Sequence, residues 1–507
     1  MEQINIQQLE GKEGWPVNKE HVYFLLCSLI LGLLFNFLFF GKTLGLSYPL
    51  YAIALYAILF WNLRHNQQLK LDWTWLLAIP IIALSFCYFI FSNQLFAALN
   101  FLVIPILFVA HTLLLTANNR CKWFEAQFLV DLLEGLAVRP LANCLKPFSL
   151  MSKIAKPRAN PGKFRVVGKV LVGLLIAIPL LIVIIPLLVS ADDVFRHFVE
   201  LIPNVFKAIN LSEFVARVLI VTIVTCLVFS YLWSLFISKT GLTGALSNTN
   251  SLPKPSPFLD PITVTTVLVL IDVLYVFFIA IQFSYLFGSL RSGLPDNFTF
   301  AEYARKGFFE LVIVTLINLV ILLGNMNFVK ASGSKMETVV KVLNTALVVS
   351  TLIMLLSAHF RMSLYEEAFG FTYLRVLTHA FMGYLLVLFV ITLSKIWYKA
   401  LPLLKSYIVI SIIAYSLLNY INVDSLIVKN NIERYNKGNP IDITYLTTLS
   451  YDAVPLLVDF MNSTSDRGLA KQLENALTNK KQALERATPW QSLNISRYRA
   501  RKVLQGS

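Results

Sequence analysis

From residue 22 to residue 421 the chain is a succession of long apolar runs broken by short polar links. It shows neither the strict alternation of a half-buried strand nor the one-sided stripe of a soluble helix. Segments such as 22–40 and 166–190 have the length needed to cross a hydrocarbon core about 30 Å thick as a helix of roughly 20 residues. Lipid offers no partner to a free backbone N–H or C=O, so helices are the expected spanning element. The runs are too long and too uniformly apolar for the alternating strands of a membrane barrel. The pattern predicts eleven spans, at 22–40, 44–62, 73–91, 95–116, 166–190, 213–237, 262–287, 303–324, 342–358, 376–394 and 403–421.

The expected fold class is therefore all-α: a polytopic helical membrane protein with about eleven spans and a small helical C-terminal domain. The links divide it into an N-terminal segment (1–21), a four-span unit (22–116), a basic connection (117–165), a seven-span unit (166–421) and a soluble tail (422–507). The first run ends in Phe39 and Phe40 and passes into Gly41 and Lys42 rather than a small-residue cleavage site, so it reads as a retained span. Within the basic connection, 123–138 sets Phe124, Phe128, Leu132 and Leu136 on one side and Gln127, Asp131 and Glu134 on another, the pattern of a helix lying in the membrane interface. Residues 191–212 read as a surface helix, and 239–261, rich in Gly, Asn and Pro, as a linker between a six-span and a five-span half. In the tail, 423–435, 442–462 and 466–486 have helical spacing, with breaks at Gly438, Pro440 and Gly468.

Composition agrees with the pattern. Of 507 residues 57% are hydrophobic and 14% charged, against roughly 25% charged in soluble domains. The net charge of +15 sits largely in links that orient helices and meet anionic lipid heads, so it does not predict nucleic-acid binding. The link 117–165 holds nine Lys/Arg and should be cytoplasmic; the stretch Lys146 to Arg165 is the part expected to touch anionic headgroups. Counting spans from it puts the N-terminus inside, the links at 41–43 and 92–94 outside, and the tail outside. The five cysteines have no disulfide or zinc-ligand spacing.

Few residues suggest chemistry. Asp272 lies ten residues into its span, roughly 15 Å deep at 1.5 Å per residue, where a carboxylate normally faces a partner or a wet cavity. Tyr275 and Gln282 continue a polar stripe from it. A proton or cation relay and a helix-packing hydrogen bond are the two readings. Glu302, Arg305, Lys306 and Glu310 open the eighth span, and the link before the tenth supplies His359, Arg361, Tyr365, Glu366, Glu367, Arg375 and His379. On the orientation above both groups lie at the outer leaflet, where structural ion pairing is the expected role. The histidine spacing matches no zinc signature, and no metal or cofactor is expected. Phosphate-binding loops, HExxH, GxSxG and dinucleotide fingerprints are absent, and Asp192-Asp193 is a lone acidic pair.

Five blocks in fixed order, "ADDVF" (191–195), "EYARKGFFEL" (302–311), "RMSLYEEAFGFTYLR" (361–375), "NVDSLIVKNNIERY" (422–435) and "YLTTLSYDAVPLL" (445–457), resemble the bacterial multi-spanning membrane protein families of unknown function numbered 4153 and 4173. The likeness covers most of 160–460. It implies a bacterial cytoplasmic-membrane protein with a helical tail and carries no activity with it. The sequence reading favours a non-enzymatic envelope sensor or scaffold, with a protein partner or small ligand at the outer face. The alternatives are a proton-coupled permease using Asp272 and Glu310, and an enzyme acting on a lipid-linked substrate with Glu310, Glu366 or Glu367 as acid or base. A permease would set Asp272 and Glu310 beside one cavity. A scaffold would tie Glu302, Arg305, Arg361, Glu366 and Arg375 into one saturated network.

Overall fold

A computed structural model describes residues 19–65, 73–154, 184, 188, 190–192, 194, 195, 211–237, 258–288, 308–330, 334–486 and 488–506. The described residues are helical throughout apart from turns and one isolated bridge between Leu259 and Val329. In chain order the helices are α1 (Lys19–Phe39), α2 (Ser47–His65), α3 (Ala78–Ile90), α4 (Gln94–Leu115), α5 (Phe128–Leu133), α6 (Arg139–Ala142), α7 (Lys146–Ile154), α8 (Leu211–Phe236) and α9 (Pro261–Gly288). They continue as α10 (Phe308–Phe328), α11 (Ser334–Phe369), α12 (Tyr373–Trp397), α13 (Leu403–Tyr420), α14 (Val423–Asn436), α15 (Ile443–Thr448), α16 (Val454–Ser463), α17 (Arg467–Glu485) and α18 (Ile495–Gly506).

Nine of the described helices are long and apolar enough to cross a membrane. These carry nine of the eleven expected spans. The second expected span is the helix α2, which has the length but is diluted by Asn62 and Arg64. The fifth, 166–190, and the surface helix at 191–212 lie almost wholly outside the described residues. One boundary changes substantially. The ninth span, expected at 342–358, belongs to a helix of 36 residues, about 54 Å at 1.5 Å per residue and far longer than the hydrocarbon core. Apolarity marks only the part of a helix that lipid touches, and α11 runs past it through charged turns at both ends.

Contacts gather the chain into two units. The first comprises 1–85, 102–243 and 489–492. Here α1 and α8 pack antiparallel: Phe24 stacks on Phe236 with ring centroids 5.8 Å apart, and Arg217 covers Phe40 near the other end. Between those points Gly32 lets the backbones meet, since a Cβ there would strike Thr225 and come within 2.9 Å of the Val221 carbonyl. Small residues at such crossings are how membrane helices gain close packing. Polar side chains close the rest of the unit, with Tyr56 bonded to His111 at 2.8 Å and Asn118 donating to the Leu235 carbonyl at 2.8 Å.

The segment expected as an interfacial amphipathic helix is α5, a π turn over Glu134–Val138, and α6. Its polar side faces inward, contrary to expectation. Asp131 is 1% exposed and accepts from the Arg120 backbone, while Glu134 lies between Arg120 and Arg139. Leu129, Val130, Leu133 and Leu145 are exposed instead. Asp131, Glu134 and Arg139, neutralised together with the more exposed Arg120, cost less turned inward than left in lipid.

The second unit comprises 86–101, 244–488 and 493–507. Its core is the bundle of α9 to α12. Leu268, Leu322, Leu347, Val348 and Phe389 are fully buried, and Met354, Leu355, Met382 and Leu385 extend the packing. Halfway along, Tyr275 donates to Asn318 at 2.7 Å and Asn318 to Thr351 at 2.8 Å, a polar layer satisfied within itself. The tail helices α14 to α18 form a separate core around Val423, Ile427, Leu457, Leu473 and Ala500, which also takes in Phe96 of α4. The expected helix 442–462 is broken at Leu449–Ser450, and α18 has no counterpart in the sequence reading.

Replacing Gly32 by Leu should cost about 1–3 kcal/mol, because the crossing cannot open without unpacking α1 from α8. Gly383→Ala, where nothing lies within 4 Å, should leave the melting temperature of the detergent-solubilised chain unchanged or slightly raised. Equal melting temperatures for both variants would refute the close approach.

Candidate functional site

A helix leaves four N–H and four C=O groups without partners at its ends. In the second unit the tail supplies many of the missing partners. At the C-terminus of α3, Asn494 donates from Nδ2 to the carbonyls of Tyr88 at 2.9 Å and Phe91 at 2.8 Å. In the turn that follows, Ser92 donates from both its backbone N–H and its hydroxyl to Asp452 Oδ2, each at 2.8 Å. Asn93 caps α4 by accepting from the Phe96 N–H at 3.0 Å, and it donates to Asp424 Oδ2 at 2.9 Å.

The turn joining α11 to α12 is held in the same way. Arg434 of α14 donates to the carbonyls of Glu367 at 2.6 Å and Ala368 at 2.9 Å, satisfying the end of α11. Asn431 clamps Phe371 from both sides, accepting its N–H at 3.0 Å and donating to its carbonyl at 2.9 Å. Tyr445 accepts the Tyr373 N–H at 2.9 Å where α12 begins. Gly370 makes this approach possible: its φ is +84°, and a Cβ would fall 2.5 Å from Asn431 Oδ1 and 2.9 Å from Arg434 Nη1.

Two buried carboxylates tie these contacts together. Asp424 is 1% exposed and Asp452 7%. Asp424 accepts from Asn93 and, at 3.2 Å, from the Ser450 N–H; Asp452 accepts from Ser92, from Ser450 at 2.8 Å and from Ser496. The hydroxyl of Tyr373 is bonded to Asn93 beside Asp424. Neutral donors saturate both acids, and among the described residues neither has an ion-pair partner within 4.0 Å. The cavity beneath them, lined by Asn93, Asn100, Asn419, Asn422, Asp424 and Asp452, measures about 20 Å³, room for one water. Nearby, burial holds the Lys480 amine below the usual lysine range against the pull of Asp424.

The residues singled out from the sequence fall into separate places. Glu302 and Arg305 lie outside the described residues. Asp272 and Gln282 are buried within α9, 7% and 6% exposed. Glu310 is exposed on α10, so it does not share Asp272's surroundings. Arg361 and Glu366 are buried at the end of α11, but Glu366 pairs with His379 Nε2 at 2.9 Å rather than with an arginine. His379 Nδ1 in turn meets His359 Nδ1 at 2.8 Å, so these three form one chain. Arg375 lies over the Tyr365 ring at 4.3 Å and donates to the Gly370 carbonyl, and Glu367 is exposed while its carbonyl serves Arg434. Of the expected network of glutamates and arginines, the described residues show Glu366 in a histidine–glutamate chain and Arg375 bound to backbone. Among the described residues no group of three or more His, Cys, Asp or Glu is placed to hold a metal.

Asn93, Tyr373, Asp424, Asn431, Arg434 and Asp452 were missed. Three of them had a readable signal: Asp424, Ile427, Asn431 and Arg434 follow at helical spacing, which sets two charges and an amide on the apolar face of α14. Polar side chains on the buried face of a helix demand specific partners.

This is a polytopic all-α membrane protein in which a tail caps the ends of the membrane helices in its own unit. The chain belongs to the family described as a domain of unknown function, DUF4153, whose family model matches residues 78–460. The match reaches well before residue 160, so it takes in α3, α4 and the Ser92–Asn93 turn as well as the tail helices that bind it. No curated protein and no solved structure matches the chain.

Gly370→Ala should release the clamp, costing at least about 2 kcal/mol locally through strain and the loss of buried hydrogen bonds. Hydrogen exchange at the Phe371 amide should accelerate by at least tenfold in proportion; unchanged protection would contradict the geometry. The Lys480 pKa lies below its unfolded value, so the unfolded chain binds more protons in the window between the two. Stability should therefore rise as pH increases toward the ordinary lysine value, and fall as pH drops through the folded one. Thermal unfolding followed as pH is raised toward the ordinary lysine value should show this gain in the parent chain, and Lys480→Met should reduce it.

Proposed function

We propose that this protein is a non-enzymatic scaffold or sensor of the bacterial cell envelope, set in the cytoplasmic membrane with its tail on the outer side. The observation that carries the reading is the use made of the tail's buried polar groups. Asp424, Asn431, Arg434, Asp452 and Asn494 all serve backbone or side chains at helix ends and turns. The cavity beside the two acids has no room for a substrate. Rigid coupling of an extramembrane domain to span ends suits a protein that relays or supports position.

The tail binds the 91–93 turn, and the charge rule assigns that turn to the face opposite the basic 117–165 link. Both considerations favour an outer tail, with Lys146 to Arg165 against anionic headgroups. On the tail an open groove of about 1,230 Å³, between the end of α14 and the α16–α17 turn and floored by Tyr435 and Phe460, is the surface we assign to a protein partner or small ligand. The permease reading finds less support: of its two carboxylates, one is buried and the other exposed. The enzyme reading has a Glu366–His379 pair, but the glutamate is 4% exposed and withdrawn from a substrate.

The test is complementation of a deletion strain in the native host. Asn431→Ala combined with Arg434→Ala should fail to restore the envelope phenotype while the protein still inserts, and Glu310→Gln should restore it. Full complementation by the double variant, with hydrogen exchange confirming a released tail, would refute a scaffold that works through docking. A cysteine at exposed Tyr498 should react with an impermeant maleimide added to intact cells; reaction only after lysis would reverse the orientation.

A further inference from the structure

Asp272 is the one buried carboxyl in the bundle of α9 to α12 for which the described structure provides neither a structural partner nor a countercharge. The residue is 7% exposed, and both carboxyl oxygens are enclosed without a hydrogen-bond partner. Leu268 one turn earlier is fully buried in the bundle core. The polar layer beside it offers nothing, since Tyr275 is bonded to Asn318 and Asn318 to Thr351. Further along the same helix Gln282 is also buried with neither amide atom partnered.

The facing helices hold no counter-ion at this depth. Between Glu310 and Lys330 of the α10 region, between Lys341 and His359 of α11, and between His379 and Lys395 of α12 there is no Asp, Glu, Lys, Arg or His. The remaining titratable groups there are tyrosines: Tyr275 on α9 itself, and Tyr384 on α12, whose hydroxyl is bonded to Ser411 at 2.6 Å.

An ionised carboxylate left alone among spans is costly, so the enclosed form is the neutral acid. A neutral acid kept only for structure would donate its proton to a nearby carbonyl or side chain, as buried polar groups do. Asp272 does neither. An apolar side chain of similar size would pack there at lower cost, so the carboxyl group is explained by what it exchanges rather than by what it holds together.

We propose that Asp272 is a proton-binding site at the middle of the α9–α12 bundle, loading and releasing one proton when the bundle opens to water. The carboxylate takes the proton from water on one exposure and returns it on another; no other bond is made or broken. The site is independent of the docked tail and goes beyond the scaffold reading, since it gives the bundle a protonation state to which an envelope sensor could respond.

The experiment uses the full chain reconstituted in vesicles of phosphatidylethanolamine and phosphatidylglycerol, treated with dicyclohexylcarbodiimide, an apolar reagent that modifies protonated carboxyls. Peptide mapping by mass spectrometry should find the adduct on Asp272. Its initial rate should fall as pH is raised and the proton is lost. Asp272→Asn should remove the adduct while eluting as the same monodisperse species, and added sodium at fixed pH should not protect. Absence of the adduct at every pH, a pH-independent rate, or protection by sodium would each overturn the proposal, the last by making the site one for a metal cation. Because the readout is on the wild-type chain, it stands even where the variant fails to fold, and it does not depend on the complementation outcome for the tail.

Discussion

The backbone groups orphaned at the ends of membrane helices are the constraint on which the second unit is built. A span ending near the edge of the bilayer has carbonyls or amides that water reaches poorly and lipid not at all, and each needs a partner. Here the partners come from far along the sequence. Asn494 serves the end of α3, Arg434 the end of α11, and Tyr445 the start of α12. The tail does not simply cover an apolar surface; it completes the hydrogen bonding of helices that precede it by as many as 400 residues. This also explains why its buried face carries charge. An arginine is the side chain able to reach several adjacent carbonyls at once, and a carboxylate can gather several N–H and O–H donors at a turn.

The same accounting separates the two kinds of intramembrane polar residue. Tyr275, Asn318 and Thr351 satisfy one another across three helices and read as packing. Glu366, His379 and His359 form a chain running from a buried carboxylate to an exposed imidazole, at the end of α11 where water is close. Asp272 lies outside both arrangements. In the first unit Asp131, Glu134 and Arg139 show a third solution, charges turned inward and joined by the more exposed Arg120 while Leu129, Val130 and Leu133 face outward.

Legibility in the sequence followed the range of the forces involved. Apolar runs mark spans because transfer to lipid is a property of a segment alone, and ten of the eleven expected spans coincide with described helices. Charged turns at the ends of α11 hid its true length, since hydropathy registers lipid contact and not helicity. The tail's helical spacing was visible, yet the break at Ser450 was not: beyond the local turn with Asp452, it depends on Asp424, 26 positions earlier, accepting the Ser450 N–H. Glu366 was legible as a polar residue worth attention, but its partner was not, because an arginine at i−5 and a histidine thirteen residues later look equally available until two helices are placed side by side.

By itself, then, the sequence determined the solvent, the helical class, the approximate spans and the blocks that mark the family, all of which depend on residue type and local spacing. The tertiary structure alone decided which polar residues are satisfied, and by whom. Hydrogen bonds act over about 3 Å, and the residues they join in this protein, Ser92 with Asp452 or Phe371 with Asn431, lie 360 and 60 positions apart. No local pattern encodes such a meeting; it exists only once the helices have packed.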